Sequence, residues 1–326
     1  MAAIIKVEGL TKKFSDRLVA VDNISFDVEQ ESIFGFLGPN GAGKTTTINI
    51  LCTLMAPTSG RAVVDGHDCQ KAPRMVRKSI GIVFQDTTLD KDLTAYENLA
   101  FHGYIYGIRG SEARNRADEA LRFVGLHDRK NDLVKRFSGG MKRRLEVARG
   151  LMHRPKVLFL DEPTLGLDPQ SRANLWEAIT RLPKEHGVTV FMTTHYLEEA
   201  EVCDRLAVID HGRIIAGGAP AELKAAIGGD VICLKTADNA KAAAELKQAG
   251  IDARATEDGL QITAAKPESV MPAIIKTLAD KVLSIRVETP TLNDVFLKLT
   301  GREIRPEEAK NADSIKEEVR AWRRKR

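Results

Sequence analysis

The plainest chemistry in the chain lies in one short run, Gly38-Pro39-Asn40-Gly41-Ala42-Gly43-Lys44-Thr45. A glycine, four residues and then Gly-Lys-Thr fit the P-loop pattern. The run sits between an apolar segment, Ile33 to Leu37, and a helix-compatible one, Thr46 to Met55, which is the strand-loop-helix context the pattern requires. Its glycines let the backbone curl until successive N–H groups face one concavity, and the following helix adds the positive end of its dipole. A triphosphate suits that concavity, with Lys44 reaching the β- and γ-phosphates and the Thr45 hydroxyl holding Mg²⁺.

A second set of chemical groups lies downstream. Val157-Leu158-Phe159-Leu160-Asp161-Glu162 is an apolar run of buried-strand type that ends in two acids. With a P-loop upstream, Asp161 is placed to hold Mg²⁺ through its water shell. Glu162, expected to point the other way along an extended backbone, can polarise an attacking water as a general base. Val188 to Met192 repeats the design and ends in Thr193-Thr194-His195, where His195 can sense a γ-phosphate. Between these runs, Phe137-Ser138-Gly139-Gly140-Met141 breaks a helical pattern and opens a basic helix. Ser138 is a good N-cap, and Gly139 and Gly140 leave backbone N–H groups open, so the segment reads as a second anion site.

The composition bounds what can position these groups. A chain of 326 residues holds one large and one smaller domain, or two of medium size. Its net charge of +4 is nearly balanced and does not mark a nucleic-acid binder. No stretch approaches the roughly 18 apolar residues of a membrane span, and no basic segment with an apolar h-region opens the chain, so a soluble, non-secreted protein is expected. The four cysteines, Cys52, Cys69, Cys203 and Cys233, show no Cys-x-x-Cys spacing and indicate neither zinc nor a disulfide framework.

The short apolar runs Ile4 to Val7, Leu18 to Val21, Ile24 to Val28 and Ile33 to Leu37 read as strands leading into the P-loop. Phe14 lies in the polar run Thr11 to Ser15, where an aromatic can stack on an adenine ring or simply pack. Arg61 to Val64 reads as a strand, and Ile80 to Phe84 as an apolar run ending in Gln85. From Thr94 to His153 the spacing is helical, with Tyr96, Tyr104 and Tyr106 beside Phe101. These aromatics form either a small core or a docking surface for a partner.

Taken together, the motifs resemble those of the nucleotide-binding subunits of ATP-binding cassette transporters, in order, over residues 4 to about 225. Ser138-Gly139-Gly140 matches the family signature, usually LSGGQ. Gln85, Asp168 and His195 match the Q-loop, D-loop and switch positions, and Gly38 to Thr45 and Asp161-Glu162 match the two Walker motifs. Phe137 for Leu and Met141 for Gln depart from the usual signature, in the manner of the drug- and lipid-exporting, daunorubicin-resistance-type branch. No Asn-Lys-x-Asp tetrapeptide follows, which favours ATP over GTP.

The resemblance implies an α/β P-loop ATPase with a helical subdomain at about 88–155, and ATP and Mg²⁺ as ligands. Phe14, Gly38 to Thr46, Ser138 to Gly140 and Asp168 would contact nucleotide, Thr45, Gln85 and Asp161 the metal, and Lys44, Gln85, Glu162 and His195 would serve hydrolysis. It further implies two cassettes meeting head to tail, most simply as a homodimer, so that Ser138 and the glycine N–H groups of one close over the γ-phosphate held by Lys44 of the other. ATP then holds the dimer and hydrolysis releases it. Gln85 would link the metal to the helical segment, which in the family grips a membrane permease, here of ABC-2 type. The expected place is the cytoplasmic face of the membrane.

A composition change at Gly228-Gly229-Asp230 suggests a domain boundary, giving an ATPase domain over 1–227 and a second domain over 228–301. Val231 to Lys235, Ile251 to Ala255, Gly259 to Thr263 and Val282 to Val287 read as strands, with helices over 239–249 and 268–280. That order predicts a small ferredoxin-like α+β domain of regulatory or dimer-contact role, followed by a helix opening in Thr289-Pro290-Thr291. Residues 302–326 are a charged tail ending in basic residues, either solvated or lying on anionic lipid as a short amphipathic helix. Two other classes compete. A soluble cassette ATPase acting on nucleic acid or the ribosome would commonly carry two cassettes or a coiled coil, and neither is present. A module that binds ATP without turnover is argued against by Glu162 and His195.

Overall fold

The computed structural model describes residues 3–15, 18–226, 230–256, 259–264, 266–288 and 290–300. The first unit is built on β3 (Ile33–Leu37), whose five residues are all buried because the strand lies inside a parallel sheet. β3 pairs in parallel with β8 (Thr189–Thr194) on one side and β9 (Arg205–Asp210) on the other. β8 continues in parallel to β7 (Val157–Asp161), and β7 to β6 (Ile80–Val83), while β10 (Arg213–Gly218) closes the order β10-β9-β3-β8-β7-β6. Leu37 lies opposite Thr194, and Asp161 opposite Thr193. The register therefore brings the C-terminal ends of β3, β8 and β7 together, where ligands of open parallel sheets bind.

A second sheet, in the order β2-β1-β4-β5, is made of β1 (Ala3–Ser15), β2 (Leu18–Glu29), β4 (Ser59–Val64) and β5 (His67–Asp68). β1 and β2 run longer than the apolar runs suggested. The polar run Thr11 to Ser15 is itself strand, paired through Lys12 to Val21 and Lys13 to Val19, and β2 passes through Asp22-Asn23 with Asn23 at φ 51°. Polarity there does not break the ladder: Thr11 and Lys12 are buried in this inner strand, and Lys12 Nζ donates to the Ala56 carbonyl at 2.8 Å. Phe26 of β2 joins the two sheets, its ring 5.5 Å from Phe34, 5.4 Å from Phe36 and 6.0 Å from Phe191.

Three helices make the helical part: α3 (Ala95–Ile105), α4 (Gly110–Phe123) and α5 (Gly139–Leu151). α3 starts with a capping box in which Thr94 and Glu97 satisfy each other's backbone N–H groups. Of the two readings of its aromatics, the small core does not hold. Phe101 is 63% exposed, Tyr104 56% and the neighbouring Ile105 65%, while Tyr106 stacks on His153.

The second unit begins at Gly218, ahead of the boundary expected at Gly228, because α8 (Pro220–Ala226) packs against α11 (Leu292–Thr300). Gly228, Gly229, Thr289 and the tail lie outside the described residues. The unit runs β11 (Asp230–Thr236), α9 (Asn239–Gln248), β12 (Arg254–Thr256), β13 (Gly259–Ala264), α10 (Pro267–Leu278) and β14 (Val282–Glu288). Its antiparallel sheet has the order β12-β13-β11-β14, the ferredoxin-like arrangement. β12 is shorter than expected, starting at Arg254 rather than Ile251.

Candidate functional site

The P-loop leaves β3 at Gly38 and enters α1 (Lys44–Leu51) through Gly43, at φ 107°. Both glycines are required by space. A Cβ on Gly38 would stand 2.2 Å from the Ile209 carbonyl, and one on Gly43 2.4 Å from that of Ala20. No side chain caps α1, so its first N–H groups face the concavity of the loop. Lys44 is buried and folds back over the loop, donating to the carbonyls of Gly38 (2.7 Å) and Pro39 (3.1 Å).

At the end of β7 the two acids converge on the P-loop. Asp161 Oδ1 accepts hydrogen bonds from Thr193 Oγ1 (2.6 Å) and Thr45 Oγ1 (3.3 Å). Glu162 Oε1 lies 3.1 Å from Lys44 Nζ and 3.3 Å from His195 Nδ1, the latter in a contact that misses hydrogen-bond alignment. The expectation that Glu162 points the other way along an extended strand is not met. Glu162 has φ 46°, a left-handed backbone that swings its carboxylate back toward Lys44. Its N–H is held by Thr193 Oγ1 at 3.0 Å.

These contacts set the charges. Burial pushes Glu162 up, but His195 and the Lys44 ammonium outweigh it and hold the carboxyl at about 2. Burial raises Asp161 above the usual aspartate range, against the pull of the Thr193 and Thr45 hydroxyls. Burial also pushes Lys44 below the usual lysine range, with Glu162 and Asp161 pulling it back.

Lys44, Thr45, Asp161, Glu162 and His195 are thus brought together. Gln85, Ser138 and Asp168 make no hydrogen bond or ion pair with that group among the described residues. Gln85 is exposed in the bend after β6. Ser138 caps α5, its Oγ accepting from Met141 N–H at 3.2 Å, and Gly139 stands in open space apart from Leu167. Asp168 is exposed and caps α6 (Pro169–His186), accepting from Ser171 N–H at 2.9 Å. Phe14, at the end of β1, is partly buried against the core, with Lys12 Nζ 5.5 Å from its ring centre.

The sequence reading missed three supporting groups. Thr193, seen only as the residue before Thr194-His195, ties both acids. Glu199 is buried and accepts from Thr194 Oγ1 at 2.6 Å and from Thr164 Oγ1, joining the loops after β7 and β8. Arg143 and Glu146 form a buried pair on α5. Their spacing of three within a helix was the available signal, passed over in a run read as a basic helix.

Two family models match the chain: that of the ABC transporter over residues 21–165, and the C-terminal domain of the ATP-binding protein DrrA1-3-like over residues 218–300. The chain is 39% identical to the linearmycin resistance ATP-binding protein LnrL of Bacillus subtilis, covering 93% of this chain and all of that protein. It is 40% identical to the daunorubicin/doxorubicin resistance ATP-binding protein DrrA of Streptomyces peucetius, over 91% and 92% of the two chains. It is also 40% identical to the Nod factor export ATP-binding protein I of Ralstonia nicotianae, over 93% and 95%. Among solved structures it is similar to cbiO1 of Clostridium perfringens, part of the ABC transporter complex cbiONQ. There the TM-score is 0.65 and the identity 33%, over 69% of this chain and 92% of that one. A dimeric post-hydrolysis state of the ATP-binding cassette MJ0796 with ADP and phosphate gives a TM-score of 0.60 at 28% identity, over 66% and 98%. The chain belongs to the ATP-binding proteins of ABC transporters and is an ATPase.

Proposed function

We propose that this ATPase powers export of a drug-like, lipid or glycolipid substrate through a separate ABC-2-type membrane permease, as one half of a head-to-tail pair of like subunits. The observation that carries the reading is the meeting of Lys44, Thr45, Asp161, Glu162 and His195 at the ends of three adjacent parallel strands. The resistance and export roles that name these relatives support the transport part. So does the exposed apolar surface of α3, a shape suited to a partner. Among the described residues no helix is long and apolar enough to cross a membrane, so a peripheral place on the cytoplasmic face, beside the permease, fits.

In this reading the N–H groups of the P-loop and Lys44 bind the phosphates, and Phe14 stacks on adenine. The Thr45 hydroxyl and Asp161 Oδ1, converging at 3.3 Å, are the hard oxygens Mg²⁺ prefers, and Gln85 joins them. An ion held by these oxygens would supply charge neutralisation for the transferring phosphoryl group. Glu162 is ionised at neutral pH and so is in its proton-accepting form. Engagement of Lys44 by phosphate frees Oε1 to take the proton of the attacking water, with His195 Nδ1 3.3 Å from the same oxygen. Ser138 and Asp168, exposed at helix starts, meet the partner subunit's nucleotide. The nearly balanced net charge gives no support to a nucleic-acid partner.

Glu162→Gln should retain ATP affinity and lose about 10² to 10⁴ in turnover, the range a positioned base contributes. ATP-bound dimers should then accumulate on size-exclusion chromatography. Near-parental hydrolysis would remove Glu162 from the role. For transport, cells making the chain and its permease should lose efflux of a fluorescent anthracycline when the chain carries Glu162→Gln. Efflux unchanged by the substitution would separate this chain from the pump.

A further inference from the structure

One guanidinium grips every carbonyl around the proposed base. Arg143, on the second turn of α5, five residues past the Ser138 cap, is only 7% exposed, and its partner Glu146 1%. The Arg143 Nε donates to the Pro163 carbonyl at 2.6 Å. Nη2 donates to those of Glu162 at 3.0 Å and Asp161 at 3.2 Å, and Nη1 to that of Phe84 and to Glu146 Oε2 at 3.1 Å. An arginine side chain has five N–H donors, and these five bonds use all of them. Glu146 in turn accepts from Thr88 N–H at 2.8 Å through its other oxygen. The buried charge is therefore fully paired, and the pair touches three separate segments: the turn after β7, the residue before Gln85, and the far side of the Gln85 loop.

Two physical points make this more than packing. Glu162 has a left-handed backbone, which a residue with a Cβ adopts at a cost of about 1–2 kcal/mol unless its surroundings over-determine it. The fork holds the Glu162 carbonyl and those on either side, and Thr193 holds the Glu162 N–H. The same fork also fixes Phe84, so the loop carrying Gln85 and the turn carrying Glu162 share one anchor on the helix that Ser138 opens. A buried ion pair is poor evidence of stability by itself, because the desolvation of both charges offsets most of their attraction. Its directional bonds are what an apolar pair of equal size would lack.

We propose that Arg143, oriented by Glu146, is a positioning residue for hydrolysis. It sets the backbone of Glu162, and with it the carboxylate, in register with the Gln85 loop, and it contacts neither nucleotide nor water itself. The proposal rests on Glu162 being the base. Arg143→Lys keeps the charge beside Glu146 but replaces the planar fork with a point donor that cannot reach all the carbonyls. Arg143→Met/Glu146→Met removes both charges at similar volume and so avoids an unpaired buried ion.

The test measures ATP turnover of the full-length chain with Mg²⁺, beside nucleotide affinity and thermal midpoint, for both variants and for Glu162→Gln. In both variants kcat is expected to fall at least about tenfold, with KM for ATP and nucleotide affinity within about threefold, as for a misplaced catalytic group. Lys should retain more activity than the Met pair. A fall in thermal midpoint with kcat at the parental value would overturn the proposal, as would failure of both variants to fold, since the pair would then be a stability element only. Parental kcat in the Arg143 variants beside an inactive Glu162→Gln would sink this proposal alone. Parental kcat in Glu162→Gln would sink the assignment of the base, and this proposal with it.

Discussion

At the scale of single residues, Phe14 separates a packing role from a binding role most cleanly. Its ring is partly buried against the core; if it also stacks on adenine as proposed, Phe14→Ala should weaken ATP binding by about 0.5–1.5 kcal/mol, roughly two- to tenfold, and Phe14→Tyr should not. Isothermal titration giving equal affinity for the alanine variant would leave Phe14 as core packing. Residue types were legible from sequence wherever chemistry demands one side chain, as at Lys44, Thr45 and Asp161. Backbone conformation was not. Nothing in the letters Asp-Glu announces φ 46° at Glu162, because that angle comes from partners on β8 and α5 that are distant in sequence. Arg143 was hidden for a similar reason, its carbonyl partners lying in the loops after β6 and β7.

At the scale of elements, the two glycines of the signature have different tasks. A Cβ on Gly140 would stand 2.2 Å from Ser171 Oγ and 2.4 Å from Ser171 Cβ, where the starts of α5 and α6 press together, whereas one on Gly139 meets only Leu167 at 3.8 Å. Gly140→Ala should therefore destabilise the chain by about 1–3 kcal/mol, the usual cost of overpacking, visible as a lower thermal midpoint. Gly139→Ala should leave the midpoint in place and lower turnover, since that glycine is open on its outer side and is proposed to close over the other subunit's nucleotide. Equal midpoints for the two variants would show that α5 and α6 can separate at no cost. The strand-helix alternation was readable because buried parallel strands are short and apolar. The long ladder of β1 and β2 was not, since its Lys12-Lys13 stretch looks like a loop when its partner is unknown. Nor could the helical spacing of Tyr104 and Phe101 say which way they face.

At the scale of the molecule, the proposed mechanism rests on sites shared between two like subunits. If they are shared, Lys44→Ala and Ser138→Arg should each be inactive alone, because both shared sites of each homodimer are broken. In the mixed dimer one site combines both lesions and the other pairs an intact Lys44 with an intact Ser138, so isolated mixed dimers should recover hydrolysis. Wild type mixed with Ser138→Arg is the control for enzymes that need two working sites. A silent double-mutant mixture beside an active control would sink the shared site. The second unit's strand order was legible because each of its strands and helices is a separate apolar run. Its start at Gly218 was not, because α8 is assigned to it by packing on α11 and not by any break in composition.

The central place of β3 bears on how the polypeptide emerges from the ribosome. Leu37 finds its strand neighbours in Thr194 and Val208, and the Ala42 carbonyl is met by the Gly212 N–H at 3.0 Å. A nascent chain that has already translated Gly38 to Thr45 thus carries β3 with both edges bare until the last strands of this sheet are made. Such late, non-local closure is slow and leaves apolar edges open to wrong pairing. The phosphate-binding loop is synthesised well before the strands that complete its site, so a chain stalled before Thr189 carries the loop on a β3 with neither of its parallel neighbours.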